Sequence, residues 1–145
     1  MMAEMDAENP IVQLCVEGMR LEQLGRHSDA AHMFECAWER SGNPFERSVA
    51  AHYVARHQTT PEETLRWNQR ALEQAQAADP SEVVNFYPSL YLNLGWAWEQ
   101  AGNREEAQRH YGLAAESGKK LPEDSYRAVV EDGIRRGLER TAAPR

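Results

Sequence analysis

No apolar run in this chain approaches the roughly 20 residues that a helix needs to cross the hydrocarbon layer, which excludes a membrane span. Cysteine is scarce. Cys15 and Cys36 are the only two, and both lie in helix-like segments without metal-ligand spacing, so neither a disulfide framework nor a thiolate metal site is expected. The histidines, His27, His32, His52, His57 and His110, include no pair four residues apart. The five-residue steps between His27 and His32 and between His52 and His57 put partners on different helical faces, against an imidazole metal site. There is no glycine-rich phosphate loop, and no cofactor is expected.

Basic residues are also in the minority. Sixteen Lys and Arg face 23 Asp and Glu, a formal charge of −7. Residues 1–115 carry 17 acids against 9 bases, and 116–145 carry 6 against 7. Phosphate binding depends on clustered cations that release counterions, so nucleic acid is a poor partner. Lys119, Lys120, Arg135 and Arg136 read as a solvated helix face. The acidic arm 1–9 lacks the basic start and apolar middle of a secretory signal, and a cytoplasmic location is expected.

What is present is a repeat. A chain of 145 residues with 41% hydrophobic content has material for one core, and a single domain is expected. Gly18, Leu21, Gly25, Ala30, Phe34 and Ala37 return as Gly95, Trp98, Gly102, Ala107, Tyr111 and Ala114, each 77 residues later. A degraded copy stands 34 residues after the first, with Ala55, Ala71 and Leu72 in register but His52 for Gly18 and Asn68 for Phe34. These offsets define repeats 10–43, 44–78 and 86–118, separated late by an insert at 79–85.

Local chemistry says that each repeat is a pair of helices. Asn9-Pro10, Asn43-Pro44 and Thr60-Pro61 each put a capping side chain ahead of a proline in a first turn. Thr60 with Glu63 and Asn103 with Glu106 have capping-box spacing. Gly25, Gly42, Gly102 and Gly118 fall where helices must stop. Gly18 against Ala30 and Gly95 against Ala107 would let paired helices approach closely, with Phe34 and Tyr111 filling the gap toward the next repeat. In 119–145 the residues Tyr126, Val129, Val130, Ile134 and Leu138 recur at helical spacing, predicting a final helix that caps the last repeat, with Gly133 and Gly137 marking close helix contact.

The third copy, Tyr91, Leu94-Gly95, Trp98, Gly102, Ala107, Tyr111 and Ala114, resembles the tetratricopeptide repeat. Neither good copy closes on the family's proline, where Gly42 and Lys119 stand instead. The run from Phe86 to Tyr111, with LPEDSY and GIRRGLER after it, is also similar to short, stand-alone bacterial proteins of that class. The resemblance implies an all-α fold of three helix hairpins in a right-handed superhelical stack with a C-terminal capping helix, about seven helices in all. It also implies a concave groove lined by the first helix of each repeat.

In that register the groove rows are Cys15, Val49 and Leu92, then Met19, Tyr53 and Trp96, then Glu22, Arg56 and Glu99, then Gln23, His57 and Gln100. Met19, Glu22, Val49, Tyr53, Arg56, Leu92, Trp96 and Glu99 are the candidate contacts, an apolar and aromatic stripe bordered by charge. Cys15 and Met19 also fit simple packing, and Trp96 fits either an open groove or a site covered by a terminal segment. The carboxylate clamp known in the family is disfavoured, because Cys15, Met19 and Ala50 replace its polar residues and only Asn93 survives. The adjacent acids Glu62-Glu63 and Glu105-Glu106 are explained by helix starts. The expected role is a protein-interaction adaptor that binds a peptide or helix and is not an enzyme. Self-assembly as a homodimer and a small-molecule or peptide sensor are the alternatives.

Overall fold

The computed structural model describes residues 6–142, so Met1 to Met5 of the acidic arm and Pro144 with its neighbours 143 and 145 in the tail lie outside the described residues. Among these the chain is all-helical, with eight α-helices where about seven were expected. The extra one is a four-residue helix in the insert. The chain divides into two compact units at Val83/Val84, inside the insert, where a single domain was expected. The reason is local: α3 packs on both helices of the first hairpin, whereas the third hairpin packs with the last helix.

The first unit holds α1 (Pro10–Gln23), α2 (His27–Arg40), α3 (Pro44–Val54) with a 3₁₀ turn at Ala55–His57, α4 (Pro61–Ala77) and α5 (Pro80–Val83). Its helix starts are capped as the dipeptides predict. Asn9 Oδ1 accepts from the Ile11 and Val12 N–H groups, Asn43 Oδ1 from Glu46 N–H, and Thr60 Oγ1 from Glu63 N–H. Glu46 reaches further, its carboxylate accepting from Gly42 N–H at 2.8 Å and from Asn9 Nδ2 at 3.0 Å, which ties the starts of α1 and α3 together. The capping boxes are one-sided. Glu63 turns to Arg66 and Glu106 to Arg109 instead of reaching back.

The α1–α2 turn is closed by Gly25 at φ 76°, with Arg26 N–H donating to Leu21 O and Gly25 N–H to Glu22 O. That is a Schellman ending, and only glycine adopts its left-handed residue without strain. Gly102 (φ 87°) repeats it in the second unit, with Asn103 N–H on Trp98 O. Gly42 and Gly118 do not share this conformation: Gly42 sits in the α2–α3 connection and Gly118 is the last residue of α7.

The second unit holds α6 (Tyr87–Gln100), α7 (Arg104–Gly118) and α8 (Ser125–Thr141). The glycines of α1 and α6 each face the aromatic of the helix that follows. A Cβ on Gly18 would lie 2.3 Å from the Phe34 ring, and one on Gly95 would lie 2.6 Å from the Tyr111 ring. Each ring then passes on to the following helix. Phe34 stacks on Tyr53 of α3 at 5.3 Å, while Tyr111 sits against Gly137 of α8, where a Cβ would come within 2.4 Å. Thus α8 takes the place a further first helix would have. Its Gly133 abuts Leu92 of α6, and Val130 and Ile134 join Ala114 and Leu121 in a core. Tyr126 anchors its start, the hydroxyl bonding Ser89 Oγ and donating to Asn85 O. Val129 and Leu138, expected on the buried stripe, are exposed; Gly137 and Thr141 complete it instead.

These contacts set a sign for glycine substitutions. Replacing glycine by alanine inside a helix stabilises by about 1 kcal/mol where the side chain has room, and nothing lies within 4 Å of a Cβ at Gly112. At Gly95 and Gly137 the Tyr111 ring is pinned from both sides and cannot yield, so overpacking of about 1–3 kcal/mol outweighs the propensity gain. Urea unfolding should therefore show Gly112→Ala more stable than the parent and both Gly95→Ala and Gly137→Ala less stable. Parent-like stability of the latter two would refute the ring-on-glycine packing.

Candidate functional site

The eight sequence candidates fall in both units and meet three fates. Val49 and Tyr53 of α3 have no exposed surface, so their expected place on a groove wall is corrected. The cause is that α3 touches α1, α2 and α4, and every residue from Ser48 to Ala55 is buried; a helix covered all round has no free face. Leu92 is partly buried, its side chain packed against Gly133 of α8. Cys15 is buried too, and that burial pushes its thiol up to about 12, so it is a small apolar residue at neutral pH.

In the first unit the structure brings Met19, Glu22 and Arg56 together around a surface hollow shared with Val16, Arg20 and Gln23. Glu22 is its fixed point. Its carboxylate meets His57 Nε2 at 2.8 Å and Arg56 at 3.1 Å, and the Arg56 guanidinium also lies 5.5 Å from the centre of the Tyr53 ring. His57 closes the set by stacking on Phe34 at 5.6 Å. Arg56 and Val16 leave their outer parts exposed, so the hollow offers an apolar edge beside a partly satisfied cation.

In the second unit Trp96 and Glu99 lie on α6, one turn apart. Trp96 is 48% exposed, while Trp98, two residues on, turns inward near His110. The C-terminal helix does not bury Trp96 but sends Arg140 over its ring, 5.3 Å from the centroid. Arg140 is itself held: Glu99 accepts from its Nε at 2.9 Å, and the Tyr111 hydroxyl donates to Glu99 at 2.8 Å. Burial would raise the Glu99 carboxyl, but the hydrogen bonds from Arg140 and Tyr111 prevail and hold it below the usual carboxylate range. Burial and the Glu99 bond raise the Tyr111 phenol, which stays protonated and donating. The exposed indole is thus flanked by a cation whose position is fixed from the core outward.

No family model, curated protein or solved structure matches the chain.

Some features escaped the spacing argument. His32 and Cys36 are four residues apart on α2, with Nε2 and Sγ 3.6 Å apart, a spacing that histidine-to-histidine distances do not show. Trp38 and Trp67 meet edge to face at 5.0 Å, with Arg70 over Trp67 at 4.6 Å. Arg140 lay outside the repeats from which the rows were drawn. No helix of the described residues is long and apolar enough to cross a membrane.

His52, standing where the other repeats have glycine, is buried, and burial together with the nearby Arg56 lowers its imidazole to about 3. Its ordinary value is about 6.5. The unfolded chain therefore binds a proton that the folded unit refuses, and stability is lost as pH falls from about 6.5 toward 3, at up to about 1.4 kcal/mol per pH unit. His110 in the second unit, lowered chiefly by burial, adds a loss of the same sign. Proton NMR should show the His52 ring unprotonated in the folded protein at pH 5, while urea midpoints fall between pH 7 and 5. A His52 resonance that titrates near 6.5 in the folded protein would count against this burial.

Proposed function

We propose that the chain is a tetratricopeptide-like protein-interaction module, binding an extended or helical peptide of another protein against the Trp96 face of its second unit. One observation carries this reading: a tryptophan with about half its surface open to solvent, paired with a guanidinium that the core holds in place. Trp and Arg dominate the residues whose truncation costs most at interfaces, and a pre-positioned pair loses little side-chain entropy on binding. An isolated exposed apolar residue would need no explanation. Trp96 differs because Tyr111, Glu99 and Arg140 form a continuous support for its neighbourhood.

Binding is favoured over catalysis because the carboxylates near both candidate surfaces are engaged: Glu22 by His57 and Arg56, Glu99 by Arg140 and Tyr111. The Met19 hollow of the first unit supplies a second apolar edge beside Arg56, whose guanidinium pairs with Glu22 and is partly exposed. Partner residues suited to the Trp96 face are an apolar anchor on the indole and a carboxylate beside Arg140.

The test is selection of binders from a displayed peptide library with the full chain as bait, followed by affinity measurement on Trp96→Ala. Loss of a central interface tryptophan costs about 2 kcal/mol or more, roughly thirtyfold in Kd. Far-UV circular dichroism should be unchanged, since the side chain is half exposed. Selected peptides that bind Trp96→Ala as tightly as the parent would defeat the proposal. Tyr53 is unsuitable for this purpose, because its substitution would disturb the core of the first unit.

A further inference from the structure

The last helix presents a second surface that the Trp96 reading does not use. Along α8, Arg127, Glu131, Arg135 and Glu139 stand four residues apart with alternating sign. All four border an open groove between α7 and α8, whose apolar floor includes Gly118, Ile134 and Leu138. Leu138 is among the exposed large apolar residues of the chain. Within the lone chain the charges pair along the helix: Arg127 with Glu131, and Arg135 with Glu139 at 2.9 Å and with Asp132 at 2.6 Å. Exposed pairs of this kind add little to the stability of the helix. They place the four charged groups in one row of alternating sign.

The order of signs restricts what can lie against that row. A uniformly acidic or basic partner would meet a like charge at every second position. A second α8, running antiparallel about a twofold axis level with Gly133 but on the side of the helix away from α6, sets each of these four against an opposite charge. Gly133 is the midpoint of both Arg127/Glu139 and Glu131/Arg135. The axis therefore sets Arg127 against the second copy's Glu139, and Glu131 against its Arg135, with the two reciprocal pairs required by symmetry. Residues four apart also form one of the ridges by which helices most often pack, at a crossing angle of about 50°. We infer that the α7/α8 groove is the contact face of a homodimer in which α8 lies antiparallel to α8 of a second copy.

Single charge reversals test this without touching the core, because Glu131 and Arg135 are exposed. In Arg135→Glu each Glu131 would face a glutamate of the other copy, and in Glu131→Arg each Arg135 would face an arginine. Mixed one to one, the two variants regain opposite signs in all four pairs. Sedimentation equilibrium of the full chain over the micromolar range should show a dimer for the parent and a dimer Kd at least tenfold weaker for each variant alone. The mixture should recover the parent's affinity as a heterodimer, which also shows that both variants fold. A parent that stays monomeric throughout that range overturns the inference. So does a mixture no more associated than its components.

Discussion

Each unit depends on an aromatic ring lying flat in the space that a glycine leaves open. Phe34 occupies it at Gly18, and Tyr111 occupies it between Gly95 and Gly137. Burial of such a ring supplies a large share of the apolar contact between neighbouring helices, and missing Cβ atoms let the helix backbones close on it. The contact also sets order along the chain, because one ring touches its own hairpin partner and the following helix at once. Where the pair is missing, in α3 and α4, bulk moves to the other side: His52 stands at the glycine place and Asn68 at the ring place, and both are buried. The Asn68 Nδ2 donates to Thr64 O, but its Oδ1 has no partner, so this exchange leaves a polar cost that the ring-on-glycine pairs avoid.

The helix pairs were legible because their signals are local. A capping Asn or Thr before proline, and a glycine in the left-handed position after the last turn, act within a few residues and need no knowledge of neighbours. The 77-residue return of Gly18 and Phe34 as Gly95 and Tyr111 was equally plain. What periodicity could not assign was how closely each ring lies on its glycine, since that depends on packing between helices. Nor could it show that the chain divides inside its insert, because that depends on how many neighbours each helix gathers.

The candidate site was legible in part for the same reason. Register locates a residue on a helix face, but exposure depends on what covers that face. For Met19, Arg56 and Trp96 the face is open at least in part. For Val49 and Tyr53 it is closed, since α3 is the most enclosed helix of its unit, and Leu92 is partly covered where Gly133 lets α8 approach. Arg140 was invisible to a repeat-based argument because it follows the last repeat. Its role arises only when α8 folds back along α6.

Tyr111 joins these levels. Its ring fills the space between two glycines, its hydroxyl holds Glu99, Glu99 holds Arg140, and Arg140 lies over Trp96. Packing in the core thereby fixes a cation at the surface, which a long side chain on an exposed helix end would not achieve alone. The same helix keeps its charged ridge elsewhere. Val130, Ile134, Gly137 and Thr141 are its buried stripe, Arg140 leaves it at the C-terminal end toward α6, and Arg127 to Glu139 run along the side toward α7. A helix buried on one stripe has room for two such surfaces, because successive residues turn by about 100° and a 17-residue helix passes each side more than four times. The two proposed surfaces thus draw on different side chains of α8, Arg140 for the one and Arg127 to Glu139 for the other.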